Sequence, residues 1–329
     1  FFLLSGFVLA HVYVGQFAKT GSRATWPFLR ARIARLYPLH IFILALFILD
    51  YIASESSHLN LFGPQSITAL AANVFMLQGL KASALSWNYP TWSISVEFAA
   101  YLLFPFAAAW LWRAGRTPAL LGLGVFAGYV ACFSWWVGGD FNQWDGWTAF
   151  ARCIPEFFAG VLLYICTARL PSLFRSGVPA AALALGLLVL LQTDVGDGLI
   201  VFLFACTIPL LVLGSGATST ALNGRSVVLL GEVSYALYLV HGLVQTVVTQ
   251  LLAAISVADD ELSAGASLSL MLSLVALSLV CAYWLHKAIE LPGRQYLRSA
   301  LQKGKLRIPQ AKAAAATLAC QPPGPSVMM

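Results

Sequence analysis

Long apolar runs alternate with short polar connections along nearly the whole chain. The runs lie at about 1–17, 36–53, 67–80, 92–112, 119–137, 153–167, 178–192, 198–214, 227–254 and 267–289. Most approach the roughly 20 residues that a helix needs to cross the hydrocarbon core of a bilayer. The pattern predicts an all-α protein, a polytopic bundle of transmembrane helices.

The charges in the connections change sign from one connection to the next. The segment 18–35 carries only basic charges, the connection after the fifth run carries Asp140 and Asp145, and the segment from 293 onward is basic again. Because Lys and Arg concentrate in cytoplasmic loops, this alternation predicts a multi-pass protein of the plasma (inner) membrane with a cytoplasmic C-terminus.

The run at 67–80 breaks the alternation if it crosses the membrane. It is short and contains Asn73 and Gln78, so we predict a re-entrant or interfacial segment whose backbone is satisfied by protein or water. About nine crossings then remain. Residues 1–292 are predicted to form the membrane domain, and 293–329 a disordered, basic cytoplasmic tail.

Composition agrees with this architecture. The 329 residues are 60% hydrophobic and 10% charged, whereas ordinary globular proteins are about 25% charged. No sizeable soluble domain remains once the apolar runs are removed. The net charge of +6 is better explained by membrane topology than by nucleic-acid binding. The six cysteines show no metal-binding spacing, and no metal site is predicted.

A carboxylate lies inside the apolar run at 92–112. Pro90 and Thr91 predict a helix start there, with Thr91 as its cap. Ser93, Glu97 and Tyr101 are four residues apart and therefore share one helix face. A charge in hydrocarbon is costly unless it is paired or hydrated, which makes Glu97 a functional candidate. The alternative is a purely structural hydrogen bond to a neighbouring helix.

Two further patterns carry candidate chemistry. Arg30, Arg32 and Arg35 cluster where an apolar helix begins; guanidinium groups bind phosphate bidentately, but they also anchor helices to lipid head groups. A stripe of polar residues recurs at helical spacing in the run at 227–254 and predicts a wet cleft: Ser234, Tyr238, His241 and Gln245. Arg152 and Glu156, four residues apart, are predicted to pair with each other.

Several of these stretches resemble one family. The run Thr-Trp-Ser-Ile-Ser-Val-Glu-Phe at 91–98, with Tyr-Leu-Leu-Phe-Pro at 101–105, resembles the signature of the acyltransferase-3 family of membrane acyltransferases. Four further elements are similar to that family and lie at 1–7, 30–38, 152–160 and 230–241, with a closing Glu-x-Pro at 290–292. The resemblance thus covers nearly all of residues 1–292.

The resemblance implies an enzyme that moves an acyl group, most often acetyl, from cytoplasmic acyl-CoA to a hydroxyl of a sugar or glycan. The expected catalytic residues are Glu97 and His241. His241 would orient the acceptor hydroxyl or donate to the thioester carbonyl, or else serve only as a neutral hydrogen-bonding residue. The expected substrate-binding residues are Arg30, Arg32, Arg35, Trp92, Ser95, Tyr101, Tyr235 and Tyr238. Acyl-CoA, the acceptor and membrane lipid are the expected partners, with no permanently bound cofactor and no nucleic acid.

The resemblance also sets an expectation for the N-terminus. The chain begins with Phe1 inside an apolar run, at the point where the family's second helix starts. A first helix carrying a general-base histidine is therefore expected upstream, giving ten crossings, and Glu97 would support that histidine. Two alternatives stay open: a transporter or flippase, for which a buried Glu97 and His241 are equally suitable, and an inactive membrane scaffold.

Overall fold

The computed structural model of the chain is helical through most of the residues that it describes. These are 1–54, 66–80, 87–138, 146–167, 178–193, 196–254 and 263–302, and no strand occurs within them. The prediction of an all-α bundle is confirmed.

Within the described ranges the α-helices follow one another as α1 (Phe2–Leu9), α2 (Gly15–Thr20), α3 (Thr25–Ser54), α4 (Ile67–Val74), α5 (Trp92–Ala114), α6 (Arg116–Trp136), α7 (Trp147–Thr167), α8 (Val178–Leu190), α9 (Asp197–Leu213), α10 (Ala217–Leu222), α11 (Arg225–Ala254), α12 (Ala264–Leu285) and α13 (Leu291–Gln302). π-helical turns at Ala10–Val14 and His286–Glu290 join α1 to α2 and α12 to α13.

Six helical segments of the described chain are long and apolar enough to cross a membrane. The first, Phe2–Ala53, includes the 3-10 helix Gly21–Ala24 between α2 and α3. The apolar helices α8 and α9 are shorter, with 13 and 17 residues. The number of crossings, predicted as about nine, stays a prediction.

The segment at 67–80 does not form a spanning helix. Helix α4 has eight residues and is therefore only about 12 Å long. A reversal at Met76, which has φ of 56°, separates it from the 3-10 turn Gln78–Leu80. The side chains of Asn73 and Gln78 are buried. This short, folded-back segment agrees with the re-entrant prediction.

Helices α1 and α7 are in direct backbone contact. A Cβ atom added at Gly6 would lie 1.8 Å from the carbonyl oxygen of Phe157, and one added at Gly160 would lie 2.0 Å from that of Leu3. Small residues at such crossings let helices pack closely in a membrane, where dispersion replaces the hydrophobic effect as the driving force. The two glycines therefore fix the position of α1 in the bundle.

We expect Gly160→Ala to lower the free energy of unfolding by about 1–3 kcal/mol or more, because the added methyl group must push two backbones apart. Thermal unfolding in detergent measures the effect. The matched control is Gly128→Ala in α6, where an added Cβ meets no atom within 4 Å and where alanine favours the helix by up to about 1 kcal/mol. Equal unfolding temperatures for the two variants would contradict the contact between α1 and α7.

The end of the described chain is a helix that packs against α3. A Cβ at Gly293 would lie 2.6 Å from Cβ of Pro38, and the Arg30 guanidinium donates to the carbonyl oxygen of Leu301. Residues 293–302, which the sequence analysis placed in the disordered tail, are thus helical in α13. The rest of that tail lies outside the described residues.

Candidate active site

Glu97 is buried in the first half of α5 and accepts two hydrogen bonds. Its Oε1 lies 2.7 Å from the Ser5 hydroxyl and 2.5 Å from the Tyr101 hydroxyl. Only 6% of the residue is exposed. The predicted helix face is confirmed, because Tyr101 reaches Glu97 from one turn away. Two O–H donors on one oxygen stabilise the charged carboxylate.

The start of α5 differs from the prediction in one detail. The Thr91 hydroxyl donates to the carbonyl oxygen of Asn88 at 2.7 Å and makes no capping hydrogen bond to an amide of α5. The prediction that the Thr91 side chain caps the helix is therefore wrong. The 3-10 turn Tyr89–Thr91 leads directly into the helix instead.

Arg32 lies against the same tyrosine that holds Glu97. Its guanidinium carbon is 5.9 Å from the centroid of the Tyr101 ring and 5.2 Å from that of Tyr13. One of its terminal nitrogens donates to the Tyr13 hydroxyl at 2.9 Å. Phe28 packs beside Tyr101 at 6.1 Å between centroids. Tyr101 therefore contacts both the carboxylate expected to be catalytic and an arginine expected to bind the donor.

The other two arginines have different surroundings. Arg30 donates to Leu301 and lies 5.9 Å from the centroid of the Trp26 ring, so its guanidinium holds α13 against α3. Arg35 is partly exposed and makes no hydrogen bond to a described residue. Of the three predicted donor-binding residues, Arg35 is the one without a hydrogen bond to any described residue.

His241 and Tyr238 form a second polar group on α11. The two rings are 5.8 Å apart. The Tyr238 hydroxyl hydrogen-bonds to Ser93 Oγ at 2.6 Å and to the carbonyl oxygen of Pro90. His241 Nδ1 lies 3.3 Å from the carbonyl oxygen of Leu237. Because a carbonyl only accepts, the neutral ring that makes this bond carries its proton on Nδ1 and keeps the Nε2 lone pair available.

The family model described as an acyltransferase domain matches residues 1–287. The chain belongs to the acyltransferase-3 family. It is 28% identical to "Acyltransferase MdmB" of Streptomyces mycarofaciens over 322 aligned positions, which cover 89% of this chain and 79% of the relative.

A second relative matches over a shorter stretch. "Protein 2 in picA locus" of Rhizobium radiobacter is 34% identical over 140 residues, which cover 39% of this chain and 71% of that protein. No solved structure gives a significant match. With the family established, the chain is an enzyme that transfers acyl groups, built as a multi-pass membrane protein.

The remaining residues expected to bind substrate in this acyltransferase are engaged by protein atoms or deeply buried. The Tyr235 hydroxyl donates to the carbonyl oxygen of Leu36 at 2.7 Å. Trp92 packs between Phe2 and Arg152, whose guanidinium carbon is 5.7 Å from its ring centroid. Ser95 is 2% exposed, and its hydroxyl has no hydrogen-bond partner among the described residues.

The four residues of the polar stripe on α11 differ in their exposure. The Ser234 hydroxyl donates to the carbonyl oxygen of Gly231 within its own helix, and both Ser234 and Gln245 are exposed. The wet cleft along the stripe stays a prediction, with Tyr238 and His241 as its partly buried members. The predicted pair on α7 is confirmed, with 3.7 Å between Arg152 Nε and Glu156 Oε1.

Sequence reasoning missed the partner of Glu97 in this acyltransferase. Gly6 packs against α7, and the neighbouring Ser5 hydroxyl donates to Glu97 across the bundle. The available signal was a lone hydroxyl in an otherwise apolar helix. Sequence reasoning also gave no role to His286, whose Nδ1 lies 2.8 Å from Glu290 Oε2 with both residues buried. No metal-binding group of three ligands occurs among the described residues.

Proposed function

We propose that this acyltransferase moves an acyl group, with acetyl as the form to test first, from cytoplasmic acyl-CoA to a hydroxyl of a sugar or surface glycan. The observation that supports the proposal is the placement of Tyr101 between the buried carboxylate of Glu97 and the guanidinium of Arg32. A site for a polyanionic donor and a site for proton transfer are thereby adjacent.

The proposed sidedness follows from the basic residues. The segment 18–35 holds the donor arginines and lacks acidic residues, which favours the cytoplasmic side. Acyl-CoA is available on that side. The protein would then lie in the plasma (inner) membrane with its C-terminus in the cytoplasm, and the acceptor hydroxyl would reach the donor from within the bundle.

The proposed chemistry is attack of the acceptor oxygen on the thioester carbonyl. The new C–O bond forms as the hydroxyl proton passes to a base, and the C–S bond breaks to release CoA as a thiolate, which takes up a proton. His241, which keeps a lone pair on Nε2, would orient the acceptor hydroxyl by accepting its hydrogen bond. The negative charge of Glu97, held by Ser5 and Tyr101, would stabilise the positive charge that develops on the base.

Sealed membrane vesicles test the reaction and its sidedness together. Acetyl-CoA does not cross the membrane, and a thiol-reactive dye detects released CoA. We expect release from inside-out vesicles that contain the protein and the cell's own glycans, and none from right-side-out vesicles. Release from right-side-out vesicles alone would overturn the orientation. Glycan movement across the membrane without CoA release would overturn acyl transfer in favour of a transporter.

A further inference from the structure

Helix α13 brings a second pair of arginines to the donor arginines of α3. Arg294 interacts electrostatically with Arg298 on its own helix and with Arg35 and Arg32 on α3. The close approach of Gly293 to Pro38 and the hydrogen bond from Arg30 to Leu301 hold the two helices together. We call these four electrostatically interacting residues the arginine cluster: Arg32, Arg35, Arg294 and Arg298.

The carboxylates near this cluster do not neutralise it. Glu290 acts on Arg294 electrostatically, but its Oε2 also accepts from His286 at 2.8 Å. Glu97 and Arg32 both act on Tyr101, and Glu97 already holds two hydroxyl donors. Both of these carboxylates thus have other partners among the described residues. Because the arginines of the cluster repel one another, an anion that binds among them is stabilised.

Two nitrogen atoms of the cluster are buried and unpaired. The Nε atoms of Arg32 and Arg294 are shielded from solvent and have no hydrogen-bond partner among the described residues. Arg32 as a whole is only 8% exposed. A buried guanidinium N–H without an acceptor is costly. Both observations favour an anion with several acceptor oxygens as the ligand of α3 and α13.

We propose that Arg294 completes, with Arg32 and Arg35, a binding site for the pyrophosphate group of the acyl donor; this rests on the proposed function. A pyrophosphate presents adjacent charged oxygens, and guanidinium forks on two facing helices contact them from both sides. α13 then closes the donor site, although its sequence shows only a basic stretch after the last crossing. Arg298, which is exposed, contributes positive charge at the solvent-facing rim of the site.

The test measures binding of CoA and of inorganic pyrophosphate to the purified protein in nanodiscs of zwitterionic lipid. We expect Arg294→Gln to weaken both by about tenfold or more, the usual weight of one charge-assisted contact. Arg294→Lys should bind both probes with intermediate affinity, because lysine keeps the positive charge but lacks the forked guanidinium group. The matched control, Arg225→Gln at the exposed start of α11, should bind like the wild type. Thermal unfolding verifies that every variant is folded.

The outcomes separate this inference from the proposed function. If Arg294→Gln binds CoA like the wild type while Arg32→Gln and Arg35→Gln bind weakly, Arg294 is outside the site and the donor proposal stands. If pyrophosphate binding depends on Arg294 but CoA does not bind, the anion site stands and the acyl-CoA proposal fails. If the wild type binds neither probe, or anionic lipid alone binds in an Arg294-dependent way, the donor pyrophosphate site is overturned.

Discussion

Replacing Glu97 by Gln should leave a folded acyltransferase that binds its donor and turns over at least about a hundredfold more slowly. The amide keeps the size of the side chain, and its carbonyl oxygen still accepts from Ser5 and Tyr101. It lacks the negative charge that stabilises a protonated base, and such proton-transfer assistance is typically worth about 10²–10⁴-fold. Initial rates of CoA release at saturating donor measure the effect.

The controls distinguish chemistry from architecture at this position. Glu232→Gln removes an exposed carboxylate of α11 and should leave the rate unchanged. Glu97→Ala should lower the unfolding temperature as well as the rate, because it leaves the Ser5 and Tyr101 hydroxyls without their acceptor inside the bundle. Wild-type turnover in Glu97→Gln would show that the carboxylate is only a structural hydrogen-bond acceptor.

Changing Arg32 and Arg35 together to Gln should raise the KM for acyl-CoA by at least about tenfold, since each charged contact to phosphate contributes about 1.5–3 kcal/mol. The structure predicts that the two single variants differ. Arg35→Gln should raise the KM for acyl-CoA without lowering the unfolding temperature, because Arg35 has no described hydrogen bond to lose. Arg32→Gln should also lower the unfolding temperature, because Arg32 is buried against Tyr13 and Tyr101. Kinetics at varied donor concentration and thermal unfolding give both values.

Arg23→Gln is the matched control for the donor arginines. Arg23 lies in the same basic segment but is exposed in the turn before α3. We expect its donor KM to equal that of the wild type. An unchanged KM in the folded Arg32 and Arg35 double variant would assign these arginines to lipid anchoring instead.

The helix faces of this protein were predictable from the sequence, and their partners were not. The spacing of Ser93, Glu97 and Tyr101 placed them on one side of α5, because helical periodicity acts within one segment. The Ser5 hydroxyl that meets Glu97 lies 92 residues away. Which helix approaches which face depends on the packing of the whole bundle, and hydrophobic periodicity contains no information about that.

The same limit applies to the polar stripe on α11 and to the segment that follows residue 293. A polar stripe on α11 predicts one side of a helix but not what that side faces, and the Ser234 hydroxyl bonds within its own helix. The basic composition after residue 293 resembles that of a disordered tail. α13 is ordered there by contacts that are distant in the sequence, among them the bond from Arg30 to Leu301.

The central claim is that this protein transfers an acyl group from acyl-CoA to a hydroxyl. Inside-out vesicles should therefore be incubated with isotope-labelled acetyl-CoA, and the glycan fraction should then be analysed for labelled esters by mass spectrometry before and after mild alkaline hydrolysis. We predict base-labile label on the glycans with the wild-type protein and at most about one hundredth as much with Glu97→Gln. Label that remains entirely on CoA with the folded wild-type protein would contradict the account.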